Sequence, residues 1–62
     1  MSEPIEVGDQ VIGICDGWVG IISEVLAIYE STFLVRVLYC GTISFVGNEY
    51  HAPKVFVQRY MP

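Results

Sequence analysis

His51 is the chain's one imidazole, and Glu49 and Tyr50 stand directly before it. These are residue types of general acid–base work, which also needs a nucleophile or a substrate pocket beside the base. The chain offers no companion motif, so the expectation is an exposed loop histidine and no enzymatic activity. Cys15, Cys40 and His51 are metal-binding types. Structural zinc, however, takes four ligands and draws its cysteines from close C-x₂₋₄-C pairs. Neither cysteine has such a neighbour, so both read as small buried hydrophobes, with no metal and no cofactor expected. Whether they bridge is left open. Trp18 lies in a glycine-flanked turn, where it would serve either as an interface anchor or as a lid over one end of a core. The acids Glu3, Glu6, Asp9, Asp16, Glu24, Glu30 and Glu49 are spread along the chain and read as solubilising charge.

The elements that must position these residues follow from composition. Nine valines and seven isoleucines stand against three leucines and two alanines. Branched side chains are stiff at χ1 and suit a pleated surface. Apolar residues make up 53% of the 62, enough for one folded domain and no more. Residues 1–6 and 60–62 read as loose ends. Two cysteines do not make the disulfide framework usual in small secreted domains. Ser2-Glu3-Pro4 lacks the basic and apolar regions of a signal peptide. No run approaches the ~20 apolar residues of a membrane-spanning helix. A reducing cytoplasm and no membrane are expected.

Gly8-Asp9 turns the chain into a first strand at 10–15, with Val11, Gly13 and Cys15 on one face. Asp16-Gly17 is a turn, and a second, long and bent strand follows at 19–28. A rival reading makes 22–29 a short helix, with Ile22, Val25, Leu26 and Tyr29 at helical spacing and Ser23 as its cap. The strand is favoured for its branched residues. The third strand, 33–39, alternates most clearly, with Phe33, Val35, Val37 and Tyr39 opposite Leu34, Arg36 and Leu38. Cys40-Gly41-Thr42 turns into a fourth strand at 43–46. Residues 47–53 read as a loop or single helical turn, and 54–59 as the fifth strand, with Val55 and Val57 on one face. The expected fold is all-β, a small closed or half-closed barrel of five strands, closure hiding its edges.

The opening Gly8-Asp9-Gln10-Val11, with Gly17-Trp18-Val19-Gly20-Ile21-Ile22 after it, resembles the KOW/SH3-like barrel group over residues 7–28. In such proteins the usual role is non-catalytic, the binding of RNA, of a ribosomal or transcription partner, or of another protein. Nucleic-acid members tend to carry lysine and arginine in their loops. Here the loops hold Asp16, Trp18, Glu30 and Glu49, and the net charge is −4 with only Arg36, Lys54 and Arg59 as cations. Phosphate neutralisation supplies most of the affinity for nucleic acid, so that partner is disfavoured. The resemblance implies a protein-binding module, a small subunit or regulator of a larger assembly. A KOW-like domain in transcription or translation is the alternative. A chain this small cannot enclose all its apolar residues, so a partner or self-association face is expected on its surface. The candidate contact residues are Trp18, Tyr29, Tyr50 and Tyr60.

Overall fold

Branched residues on alternate positions build the sheet, and glycines punctuate it. The computed structural model describes residues 4–15, 17–41 and 43–61. The lead-in at 1–3, the turn positions Asp16 and Thr42, and the tail residue Pro62 lie outside them. The strands are β1 at Gln10–Gly13, β2 at Ile22–Ile28, β3 at Thr32–Tyr39, β4 at Glu49–Pro53 and β5 at Val57–Arg59. They form one antiparallel sheet in the order β4-β3-β2-β1-β5. The edges β4 and β5 do not pair with each other, so the sheet is not closed into a barrel.

β2 is a strand and not the rival helix, with Ile22 to Glu24 paired to β1 and Ile22 to Ile28 paired to β3. Between Val25 and Ala27 the register shifts, leaving Leu26 as an extra residue. Such a bulge bends a strand and increases its twist. Before the bulge β2 pairs with both β1 and β3, and beyond it Ala27 and Ile28 pair with β3. β2 begins at Ile22 rather than at residue 19, because residues 17–21 belong to a loop closed by Trp18 N–H to the Cys15 carbonyl (2.9 Å) and Ile21 N–H to the Trp18 carbonyl (3.0 Å).

Three expectations for the second half of the chain are corrected. Residues 43–46 are not a strand; Ile43–Phe45 is a 3-10 turn. The return strand is β4, in the piece expected to be a loop, so His51 sits in a strand opposite Leu34. The hydrogen bonds give the reason. At the end of β3, Val37 N–H donates to the Asn48 carbonyl (2.9 Å), and Gly47 N–H donates to the Val37 carbonyl (2.8 Å). The pairing capacity of β3 is thus taken up by residues 47 and 48, and 43–46 become the connection. Gly47 sits at φ +89°, a conformation open to glycine at little cost. Glu-Tyr-His-Ala-Pro is a poor strand sequence, but β4 is an edge, where proline and charge are tolerated. The fifth strand is likewise shorter than expected, because Lys54–Phe56 forms a second 3-10 turn. That turn leaves Val55 76% exposed while Val57 is buried.

The core is Val11, Val25, Phe33, Val35, Ala52 and Val57, with Ile5 and Trp18 packed against it. β3 shows the alternation directly, with Phe33, Val35 and Val37 buried and Arg36 and Leu38 exposed. Tyr39, expected on the inner face, is exposed beyond the register shift at Ile22/Ser23. On the outer face, Gln10, Glu24, Arg36 and Glu49 make a cross-strand row. The Arg36–Glu49 ion pair in it (3.2 Å) has both side chains about half exposed, so it adds about 0–1 kcal/mol.

Ser23 breaks the apolar inner row. It is 1% exposed between Val11 and Val37, and its hydroxyl has no hydrogen-bond partner among the described residues. An unsatisfied buried hydroxyl costs about 1–3 kcal/mol of desolvation. Ser23→Ala is therefore expected to stabilise the fold by about 1 kcal/mol, visible as a rise in the midpoint of thermal unfolding of roughly 4–8 °C. A lower midpoint would mean that the hydroxyl contributes a bond in solution.

Candidate functional site

Two loops meet at one end of the inner face of the sheet. From the β1–β2 loop come Gly17, Trp18 and Ile21; from the connection after β3 comes Phe45; β3 supplies Val37 and β4 supplies Tyr50. Together they line an open cavity of about 200 Å³. Val37 is buried, Trp18 is half-buried against the core, and Phe45 and Tyr50 are 46% and 36% exposed.

The register of β4 explains why Tyr50 points here. Tyr50 pairs with buried Val35 and Ala52 pairs with buried Phe33, so both lie on the inner face. Glu49 and His51 consequently lie on the outer one. Phe45 is brought to the cavity by the 3-10 turn and held there by Asn48. The Asn48 backbone N–H donates to the Phe45 carbonyl (3.2 Å), while its side-chain Nδ2 donates to the Tyr50 hydroxyl (3.2 Å) and to the Ser44 carbonyl (3.3 Å).

The three rings stand as walls. Trp18 and Tyr50 are 6.5 Å apart with planes at 82°, and Phe45 and Tyr50 are 6.3 Å apart at 70°. Edge-to-face pairs of this kind hold each other beyond simple burial. Among the described residues Tyr50 is the one titratable residue in the lining. The arrangement thus offers apolar and π contact.

Of the four candidate contact residues, Trp18 and Tyr50 come together here. Tyr29 does not; it sits beside His51, with ring centroids 5.3 Å apart. On that side His51 Nδ1 also lies 3.5 Å from the Thr32 hydroxyl. Tyr60 is half-buried at the end of β5, where its N–H donates to the Gln10 carbonyl (2.9 Å), and it does not line the cavity. Phe45 was placed in a strand by the sequence reading, and its part in the cavity depends on the turn that replaces that strand. Cys15 and Cys40 are free thiols, both half-buried. Among the described residues no group of three or more His, Cys, Asp or Glu is placed to hold a metal ion. No helix there is long and apolar enough to cross a membrane.

No known protein family, curated protein or solved structure matches the chain.

Proposed function

We propose that this chain is a non-enzymatic, cytoplasmic protein-binding module, a small subunit or regulator of a larger assembly, and that Trp18, Phe45 and Tyr50 form its contact face. The observation that carries the reading is the convergence of these three rings on one open apolar cavity. Aromatic anchors in a central pocket account for most of the energy of many protein interfaces. An SH3-like arrangement is supported by the five short antiparallel strands and by the bulge at Leu26 in β2, the strand that pairs with both β1 and β3.

Charge favours a protein over a nucleic acid. The net charge is −4. Arg36 is paired with Glu49, Arg59 lies 3.8 Å from Asp9, and the Lys54 ammonium sits 5.4 Å over the Phe33 ring. No basic stripe is left to follow a phosphate backbone.

The test is capture from cells of the source organism, using the wild type, Phe45→Ala and Tyr29→Ala as baits. Phe45 lies outside the core, so its replacement should leave the unfolding midpoint near that of the wild type. A specific protein held by the wild type should bind Phe45→Ala at least about tenfold more weakly, the loss of about 1.4 kcal/mol or more. Tyr29→Ala should retain it. Equal capture by all three, or capture of nucleic acid that fades with salt, would overturn the proposal.

A further inference from the structure

The rings also specify the chemistry of what they hold. We infer that the cavity receives the trimethylammonium head of a methylated lysine on a basic partner segment, an inference that rests on the cavity being the contact face.

Shape is the first argument. Tyr50 stands at 82° to Trp18 and at 70° to Phe45, so the rings make corners rather than a stacking platform. A flat base or planar ring needs a parallel face, whereas a near-spherical group fills a corner between perpendicular ones. A volume of about 200 Å³ is below the ~300–1,000 Å³ of sites for drug-sized ligands, and suits the end of one side chain.

Charge is the second. Ring faces are the negative end of the aromatic quadrupole and attract cations within about 6 Å of the centroid. The whole chain is acidic, so a basic segment is drawn toward it.

The third argument is the scarcity of acceptors. Among the described residues the lining is Gly17, Trp18, Ile21, Val37, Phe45 and Tyr50, and its one side-chain acceptor, the Tyr50 hydroxyl, is already engaged by Asn48 Nδ2 (3.2 Å). A primary ammonium would have to give up water at its three N–H donors with little in return. A trimethylated one has no donors to satisfy and keeps its charge. The lining also holds no cation, so the phosphate of a phosphocholine headgroup would find no partner there. That favours a lysine side chain over a lipid.

Trp18 is the chain's one tryptophan, and its emission reports directly on the cavity. The probes are capped nonapeptides with two arginines and a central trimethyllysine, lysine, or the uncharged isostere in which carbon replaces the quaternary nitrogen. Phosphatidylcholine vesicles serve as the lipid arm. The trimethyllysine peptide should give a saturable change in emission, with the lysine and isostere peptides about tenfold weaker and the vesicles without effect. Phe45→Leu keeps an apolar wall but removes a π face. It should weaken the trimethyllysine peptide several-fold while leaving the isostere unchanged. Isostere binding as tight as trimethyllysine, lysine binding as tight, a response to vesicles alone, or no response to any probe would each overturn the inference. Should a captured partner still depend on Phe45 in that case, the contact face stands and only the ammonium specificity falls.

Discussion

Gly13→Ala is expected to abolish the folded state at room temperature. Gly13 ends β1 with its backbone pressed against the β1–β2 loop, and a Cβ there would fall on the Trp18 carbonyl group. Overpacking a core usually costs about 1–3 kcal/mol because side chains can shift to other rotamers. Here the obstacle is backbone, and two bonds fix its place. Gly13 N–H donates to the Ile21 carbonyl (3.0 Å), and Gly20 N–H donates to the Gly13 carbonyl (3.2 Å). Relief would mean moving the loop that carries Trp18 and breaking both. At about 0.05–0.15 kcal/mol per residue, a chain of 62 has only about 3–9 kcal/mol to lose. Far-ultraviolet circular dichroism with urea unfolding measures the outcome. Gly41→Ala is the control, since nothing lies within 4 Å of a Cβ there and its φ is not positive. It should unfold within about 0.5 kcal/mol of the wild type. Matching midpoints for Gly13→Ala and the wild type would contradict the described loop packing.

Phe33→Ala is expected to cost about 3–5 kcal/mol, the usual range for an aromatic ring removed from a core. Phe33 is 5% exposed and is the largest side chain of the core cluster, whose other members are valines and one alanine. It stands opposite Ala52 on β4, so the small residue depends on the large one to fill the space between them. Valines around it are stiff at χ1 and cannot swing into the cavity that truncation would leave. Phe33→Leu keeps most of the buried area and should cost less than half as much. The midpoints of thermal unfolding order the three proteins as wild type, Leu, Ala. A Phe33→Ala variant as stable as Phe33→Leu would mean that the ring does not fill the core.

Much of the sheet could be read in advance from alternation. Val11 and Gly13 against Ile12, and Phe33, Val35 and Val37 against Arg36 and Leu38, divide in the structure as their spacing predicts. The second half was less legible for a definite reason. Ile43-Ser-Phe-Val has a strand-former's composition and is not a strand, while Glu49-Tyr-His-Ala-Pro has a poor one and is. β-propensity reflects fit to a surface that neighbours provide, and here the neighbour decides. Val37 bonds to Gly47 and Asn48, and that register sets everything after it. The candidate site was half legible by the same logic. Glycines around Trp18 marked its turn, and its ring proved to touch both core and cavity. Tyr50 could not be assigned a face until β4 had a register. Phe45 could not be joined to either until the chain folded back beside the sheet.

The central claim is that the opening between the Trp18 loop and the Phe45 turn is the surface a partner uses. Amide chemical-shift mapping of labelled protein, titrated with its captured partner or with the trimethyllysine peptide, tests that most directly. The predicted result is a contiguous set of perturbed amides at Gly17, Trp18, Ile21, Val37, Phe45 and Tyr50, with Tyr29, Thr32 and His51 on the opposite face unmoved. Perturbations centred on Tyr29 and His51, with the aromatic cavity silent, would contradict it.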